Sequence, residues 1–376
     1  MEEILKKATI SVVICTRNRS DHLKKCVLSI LQQSYLPKEI IIVDDASKDD
    51  LNVYDFFKNE FLALKYRLSK FINSVDIILV KNKENTGVTA SRNTGIKIAS
   101  GDIVAFLDDD SFAHRSWLKN LVRHYKNEKI VGVGGPVIEI GRRMKTPTKH
   151  IKRLAYIKNG RIIDNYRIKR LEDVKFLPRK FVPFFVAGNM SFRNYDLLQV
   201  KGLDTNLAGN ASRDATELGY RIRNRGKLLF EPQAITWHDT AMKGGNRDVI
   251  NFNLDRFLFY LHRNTTYFFF KHFNFKKAIV LTYHALRTQI KLLQRNKTGL
   301  NRDFLKIVNK DNSIVSVVIG ALTGFYRWIK LRGKSLEFLH SKPVALTCFK
   351  LVIIGGSVKL IEMENRSHFL KKLFGM

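Results

Sequence analysis

The chain has 376 residues, 45% of them hydrophobic and 27% charged, and its formal net charge is +32. This composition can bury a sizeable core, which excludes a disordered chain, and the length suits one or two domains. Three scattered cysteines, Cys15, Cys26 and Cys348, exclude a disulfide framework and a zinc site and suit a reducing compartment. The charge indicates partners among nucleic acids, anionic membranes or phosphate-bearing substrates.

The first 140 residues alternate between short apolar runs and segments of helical period. This alternation predicts an α/β fold with a mostly parallel sheet, Rossmann-like, covered by helices on both faces. The predicted strands are Ile10–Cys15, Glu39–Val43, Asp76–Val80, Ile103–Leu107 and Lys129–Val137, and the predicted helices are Ser20–Leu31, Leu51–Phe71, Val88–Ala99 and Arg115–Tyr125.

The composition and periodicity of the remaining chain change twice. Gly141–Lys180 is dense in Lys and Arg and weakly periodic, which predicts an excursion or mobile loop. Regular structure resumes with a predicted helix at Asp214–Arg225 and one or two strands in Lys227–Trp237. Beyond Arg247 the chain is rich in aromatic residues, so we divide it into an α/β domain, 1–245, and a helical region, 246–376. The predicted helices of that region are Lys277–Arg295, Ser313–Leu331 and Val344–Met363.

The helical region also carries much of the charge. From Ala241 onward there are 24 Lys and Arg residues against 7 Asp and Glu, a net of +17. Basic residues among aromatic and aliphatic ones favour an anionic membrane surface over nucleic acid. The alternatives are solvated lysines, a helical subdomain packed on the core, or a homo-oligomer contact. The longest nearly uncharged run, Ser313–Tyr326, is shorter than the roughly 20 residues that span a bilayer, and no signal peptide is apparent. We therefore expect a cytoplasmic protein, peripheral on the inner face of the cell membrane.

Polar side chains follow the predicted strands at the ends where an open α/β sheet binds its ligands. They are Thr16–Arg19, Asp44–Ser47, Asn85–Gly87 and Asp108–Asp110. The acidic triplet is costly beside a buried strand unless a cation or hydrogen bonds neutralise it. Hard divalent cations prefer such oxygens and complete their shell with substrate phosphates. The alternative is an acidic turn that caps the next helix.

Two further residues suit a nucleotide ligand. Asp45 could accept a hydrogen bond from a base ring, or cap a helix beside Ser47. Arg92 could neutralise a diphosphate, or be a solvated helix arginine. Each alternative is reasonable by itself, but together the four strand ends favour a binding site.

Six ordered segments resemble the motifs of family 2 glycosyltransferases of the GT-A fold. The resemblance covers about Ile10 to His238, which is more specific than any single motif. The segments are SVVICTRNR (Ser11–Arg19), VDDASKDD (Val43–Asp50, with Ala46 for the usual glycine), NTGVTASRNTGIKIASGDIVAFLDDD (Asn85–Asp110), AGNMSFRNYDLLQVKGLD (Ala187–Asp204), GNASRDATELGYRIRNRG (Gly209–Gly226) and WH (Trp237–His238).

The resemblance implies an inverting, metal-dependent transfer of a sugar from a nucleotide-diphosphate sugar to a lipid-linked or saccharide acceptor. It implies Mg or Mn as the metal, whose work is to stabilise the leaving nucleoside diphosphate. The implied donor-site residues are Thr16, Arg17 and Asp45 around the nucleotide, Arg92 near the ribose or diphosphate, Asp108 and Asp109 at the donor, and Asp108, Asp110 and His238 at the metal.

One departure from the family pattern concerns the catalytic base. The family usually has an acidic pair whose second member is the base, and that position is Ala215 here. We therefore expect Asp214 to be the base, with Glu217 as the reserve. A shift of one residue turns a helical side chain by about 100°, so the helix start must be re-registered, the base has changed, or activity is weak.

Other functions stay open at this point. The loss at Ala215 suits a catalytically impaired scaffold. A basic nucleic-acid-binding protein would suit the charge, but no zinc spacing, RNA-recognition signature or Walker loop is present, so we expect no nucleic-acid partner. A nucleotidyltransferase would need a glycine-rich loop after the first strand, and Thr16–Ser20 has no glycine. The sequence leaves the sugar, the nucleotide and the acceptor undefined.

Overall fold

The computed structural model describes residues 8–48, 75–140, 150–241, 244–245, 253–294, 310–332, 347–354 and 357–362. The strands are β1 (Ile10–Thr16), β2 (Glu39–Asp44), β3 (Asp76–Lys81), β4 (Ile103–Asp108), β5 (Ser111–Ala113), β6 (Ile130–Gly134), β7 (Val137–Ile140), β8 (Ala155–Lys158), β9 (Arg161–Asp164), β10 (Arg167–Ile168), β11 (Lys180–Val182), β12 (Asn189–Arg193), β13 (Lys227–Phe230), β14 (Thr236–Asp239), β15 (Thr347–Ile354) and β16 (Ser357–Glu362). The helices are α1 (Ser20–Leu31), α2 (Val88–Ile98), α3 (Trp117–Val122), α4 (Asn194–Gln199), α5 (Asp214–Ile222), α6 (Leu254–His272), α7 (Phe275–Gln294) and α8 (Lys310–Leu331).

The main sheet has ten strands in the order β11-β13-β6-β12-β4-β1-β2-β3-β15-β16. Strands β4, β1, β2 and β3 are parallel neighbours, as the strand–helix alternation predicts. Strand β12 runs antiparallel between β4 and β6, and β15 is antiparallel to β3. The α/β fold class is confirmed, and its sheet is mixed outside the four parallel strands.

Burial of both sheet faces explains the continuous apolar runs of these strands. On one face, Val12 and Ile14 of β1 belong to the same hydrophobic core as Leu23 and Val27 of α1. On the other face, Val13 belongs to a second core. Because side chains alternate along a strand, β1 contributes to both cores and its carboxyl end opens into the site.

Two predictions for secondary structure are wrong. The segment predicted as a loop before Lys180 contains the β8–β9 hairpin, whose two-residue turn is Asn159-Gly160 with positive φ at both positions. Asn-Gly in this conformation matches the right-handed twist of the flanking strands. The helix predicted at Val344–Met363 is replaced by β15 and β16, which pair with each other at the edge of the sheet. The helix predicted at Leu51–Phe71 lies outside the described residues.

The C-terminal helices pack on one another and against the α/β part. Gly320 and Gly324 of α8 face α6 so closely that a Cβ on either would collide with the backbone of Phe259 or Arg263. In the described part of the chain, α8 is the one helix long and apolar enough, over Asn312–Leu331, to cross a membrane by length and composition. The uncharged run Ser313–Tyr326 lies within this helix, whose last turns carry Arg327 and Lys330. Only 22% of this window is buried inside the protein.

Candidate active site

A cavity of about 410 Å³ opens at the carboxyl ends of β1, β2 and β4. Its volume lies in the range that holds a small organic ligand. Nine of the ten residues predicted for the site line this cavity, and Glu217 does not. The fold therefore brings the residues predicted for the donor and Asp214 into one cavity. The nine are Thr16, Arg17, Asp45, Arg92, Asp108, Asp109, Asp110, Asp214 and His238.

Asp45 organises the loop that precedes α2. Its Oδ1 accepts hydrogen bonds from Asn82 Nδ2 (2.9 Å), Thr86 N (2.8 Å) and Thr86 Oγ1 (2.9 Å), and its Oδ2 accepts one from Gly87 N (2.8 Å). A carboxylate oxygen has two lone pairs, so Oδ2 keeps one for a further donor. Arg17 holds the same region, because its Nη1 donates to the backbone oxygens of Asp45 and Ala46. Both side chains therefore shape the wall of the cavity.

The middle carboxylate of the acidic triplet is neutralised within the protein. Asp109 is 3% exposed and accepts hydrogen bonds from Thr16 Oγ1 (2.9 Å) and Arg19 Nη1 (2.8 Å). Burial raises the pKa of Asp109 to about 6, although Arg19 and Thr16 oppose that rise. Asp109 thus anchors the strand end. Arg19, for which no role was predicted, also donates from Nη1 to Asp110 Oδ2 at 3.1 Å and so links the two carboxylates.

Asp110 forms a second pair with His238. The His238 Nε2–Asp110 Oδ1 distance is 3.2 Å, and His238 Nδ1 lies 2.9 Å from Glu139 Oε2. Burial lowers the pKa of His238, but the two carboxylates outweigh it and the pKa rises to about 9. Burial raises the pKa of Asp110, but His238 and Arg19 outweigh burial, so the pKa of Asp110 falls below its usual value. Glu139 is therefore an orienting partner of His238.

The donor set fits a hard divalent cation that shares its shell with substrate phosphates. No three carboxylate, imidazole or thiolate groups of the described residues converge as a complete cage. Asp110 Oδ1 and His238 Nε2 lie 3.2 Å apart on the cavity wall, and both would face the ion once that nitrogen of His238 has lost its proton. Asp108 faces the cavity with a side chain 30% exposed. One or two carboxylates plus phosphate oxygens is the usual pattern for Mg²⁺.

Arg92 connects the acidic triplet with α5. Its Nη2 lies 2.7 Å from Asp108 Oδ1, and its Nη1 lies 2.5 Å from Asp214 Oδ2. The side chain of Arg92 is only 6% exposed, so the solvated-arginine alternative is wrong. Both carboxylates, together with burial, fix this guanidinium in one position.

Asp214 begins α5 and lines the cavity. The residue before it, Arg213, has a left-handed backbone with φ of 79°. Asp214 lines the cavity, and so does Ala215, which stands at the usual position of the second acid. Burial raises the pKa of the Asp214 carboxyl, and Arg92 opposes that rise. A carboxylate with a raised pKa beside a cavity has the properties of a general base.

Glu217, the predicted reserve base, belongs to a different environment. Its side chain is fully buried and lies 2.7 Å from Arg221, 2.6 Å from Lys271 and 3.2 Å from His272. Burial raises the pKa of Glu217, but Arg221, His272 and Lys271 outweigh it and the pKa falls well below its usual value. Glu217 is three positions after Asp214 and turns towards α6, so it joins α5 to α6 instead of facing the cavity.

Several cavity residues were missed by sequence reasoning. Arg19 stands in the quoted Thr16–Arg19 segment, and its spacing from the strand could have identified it. Arg167 comes from a part of the chain whose pattern gave no signal for a cavity. Arg213 stands in the segment Gly209–Gly226 that resembles the family, where only Asp214 and Glu217 were singled out. Their placement depends on β10 and on the loop before α5, which local sequence does not specify.

Comparisons with known proteins show what this chain is similar to. A family model described as Glycosyl transferase family 2 matches residues 11–197. The chain is 34% identical over 132 residues to a glucosyl-dolichyl phosphate glucuronosyltransferase of Haloferax volcanii, covering 34% of this chain and 38% of that protein. It is 32% identical over 121 residues to an Escherichia coli UDP-Glc:alpha-D-GlcNAc-diphosphoundecaprenol beta-1,3-glucosyltransferase, covering 32% of this chain and 43% of that one. The chain therefore matches less than half the length of either relative.

A similar solved structure is a mannosyltransferase from Pyrobaculum calidifontis in complex with GDP-Man and Mn²⁺. It is 15% identical with a TM-score of 0.48, and the match covers 85% of this chain and 88% of that one.

Proposed function

The chain belongs, through its residues 11–197, to glycosyl transferase family 2, and we propose that it transfers a sugar from a nucleotide-diphosphate sugar to a lipid-linked or saccharide acceptor. The observation that supports the proposal best is the cavity in which the acidic triplet, His238 and Asp214 converge. A donor would place its diphosphate against Asp108, Asp110 and His238 and its base near Thr16 and Asp45.

The proposed chemistry is an inverting displacement with one base. Asp108, Asp110 and His238 would hold Mg or Mn, which, when bound, supplies Lewis-acid stabilisation of the leaving nucleoside diphosphate. Asp214 would accept the proton of the acceptor hydroxyl as that oxygen attacks the anomeric carbon. Arg92 holds Asp214 in place by a charge-assisted hydrogen bond.

We also propose that the helical region places the enzyme on the inner face of the cell membrane. The outward sides of α7 and α8 expose large apolar side chains, and exposed Lys276, Lys277, Lys330 and Arg332 stand at their ends. Apolar surface flanked by cations suits the headgroup layer of an anionic bilayer. The exposed apolar residues include Phe275, Ile279, Val280, Tyr283, Val315, Ile319, Leu322, Tyr326 and Ile329.

Calorimetric titration with UDP, GDP and dTDP, with and without Mn²⁺, tests the donor site. We expect metal-dependent binding of one nucleotide, lost in Asp110→Asn and kept in the control Asp21→Asn, whose carboxylate lies on the exposed side of α1. Binding of no nucleotide by the wild-type protein would overturn the proposal.

One alternative function has a specific observation in its favour. Ala215 at the usual base position suits a catalytically impaired scaffold. Metal-dependent nucleotide binding without any transfer to lipid-linked or saccharide acceptors would support that alternative.

A further inference from the structure

Arg213 lines the cavity immediately before Asp214, the proposed base. A group bound at Arg213 would therefore lie beside the residue that activates the acceptor hydroxyl. Such a group belongs to the acceptor, because the acidic triplet and His238 are assigned to the donor diphosphate.

Arg213 differs from three other arginines of the cavity wall, each of which has a carboxylate partner. Arg19, Arg92 and Arg167 each form an ion pair with one or more acidic side chains. Arg213 has no acidic partner within ion-pair distance among the described residues, and its Nε donates a hydrogen bond to Thr265 Oγ1 at 3.0 Å. That bond orients the guanidinium, and neither Nη group has a hydrogen-bond acceptor in the part of the chain that the structure describes.

Two physical costs accompany this arrangement. Burial lowers the pKa of Arg213, and the charge of Asp164 only partly opposes it. The backbone of Arg213 is left-handed, with φ of 79°, a conformation that is unfavourable for non-glycine residues. A partly buried cation without an ionic partner is stabilised when an anion binds to it.

We propose that Arg213 binds a phosphate group of the acceptor, through the two Nη donors that suit a bidentate oxyanion. This inference rests on the proposed glycosyl transfer, because that function places the acceptor hydroxyl at Asp214. The bound phosphate would position the acceptor hydroxyl beside Asp214. Arg213 is then a residue that selects acceptors carrying a phosphate over neutral ones.

The test uses geranyl phosphate as the probe and geraniol as its neutral counterpart, on the full chain. Binding is measured once in EDTA and once with UDP and Mn²⁺ present in excess. We expect geranyl phosphate to bind under both conditions and at least tenfold more tightly than geraniol. Arg213→Gln should weaken geranyl phosphate at least tenfold, and Arg213→Lys should weaken it less, since the charge stays and the bidentate geometry is lost.

A matched control and a second variant complete the test. Arg223→Gln removes an arginine that lies over the Tyr220 ring at the end of the same helix, and it should leave binding unchanged. If Arg213→Gln does not fold, Thr265→Val decides, because it removes only the bond that orients the guanidinium.

The inference fails if the probe does not bind, if Arg213→Gln and Thr265→Val bind it as the wild type does, or if UDP and Mn²⁺ displace it. The proposed function fails separately, if the wild-type chain binds no nucleoside diphosphate in the presence of metal.

Discussion

Arg92 and Asp214 form a buried ion pair, with 2.5 Å between Nη1 and Oδ2, although 122 positions separate them in the chain. The other Nη of the same guanidinium contacts Asp108. One cation therefore neutralises a carboxylate at the donor end of the cavity and the carboxylate proposed as the base.

Replacing Arg92 with Met should remove the charge that opposes the raised pKa of Asp214. The pKa of Asp214 then rises further, the carboxylate is protonated up to a higher pH, and the acidic limb of the pH profile of kcat/KM moves to higher pH. Loss of one partner of a buried pair also costs about 3–5 kcal/mol of unfolding free energy.

The control for this variant is Arg123→Met. Arg123 is half-exposed and shares Glu231 with Arg179 and His124, so its loss should cost far less stability. An unmoved pH profile in Arg92→Met would show that Arg92 does not act on the base.

Replacing Asp214 with Asn should abolish transfer and leave the binding of metal and nucleotide intact. The amide keeps the size of the side chain but cannot accept the hydroxyl proton at neutral pH. Radiolabelled sugar transfer and calorimetry on the same preparation check both halves of the prediction. Full activity in this variant would assign the base elsewhere.

Replacing Glu217 with Gln should give the opposite result. Arg221 would lose its carboxylate partner, and Lys271 would lose one of its two and keep Asp204, so the unfolding free energy should fall by about 3 kcal/mol. At a temperature where the variant is folded, turnover per folded molecule should stay within a few-fold of the wild type. A loss of turnover without a loss of stability would return Glu217 to the list of bases.

Replacing Leu322 and Tyr326 with Glu should weaken binding to anionic liposomes. Each side chain is 64% exposed on α8, and placing apolar area in the interface is worth about 1.5–3 kcal/mol for each large residue. Co-sedimentation with phosphatidylglycerol vesicles at moderate salt should show at least a tenfold loss. Phe181→Glu is the control, since Phe181 is 51% exposed on β11, away from the helical region. Equal loss in the control, or no binding by the wild type, would refute the membrane proposal.

Replacing Gly320 with Ala should loosen α8 from α6. A Cβ at this position meets the carbonyl oxygen of Phe259, and backbone cannot yield as a side chain can. We expect a fall of about 1–3 kcal/mol in unfolding free energy, as for other overpacked sites. Thr323→Ala on the same helix lacks this collision and should be close to neutral. Thermal denaturation of both variants would compare them directly.

Local sequence patterns predicted most of the α/β part, because apolar runs indicate its strands and apolar residues at helical spacing indicate its helices. Helix α1 was predicted with its correct bounds, because Leu23, Cys26, Val27 and Ile30 recur at helical spacing. The acidic triplet was identified because it follows a buried strand directly. The prediction for residues 141–180 failed for the part that holds the β8–β9 hairpin, where basic residues obscured the Asn159-Gly160 turn signal.

Partnerships across the fold could not be predicted in this way. Glu139 meets His238 because β7 and β14 are paired, a register that no local pattern encodes. Arg92 lines the cavity, but its contact with Asp214 depends on where α5 begins. That start depends on the left-handed conformation of Arg213, which is unusual for an arginine.

The cluster around Glu217 bears on whether the α/β domain and the helical region can be exchanged separately. Glu217 lies on α5, whereas Lys271 and His272 lie on α6, beyond the proposed boundary at residue 245. Tyr220 of α5 likewise stacks edge-on against Phe268 of α6, with 5.0 Å between ring centroids. Cassettes cut at 245 and exchanged between relatives would leave Glu217 with Arg221 alone on one side and Lys271 without its carboxylate partners on the other. Chimeric enzymes of this kind should therefore need the α5–α6 contact transplanted as one unit.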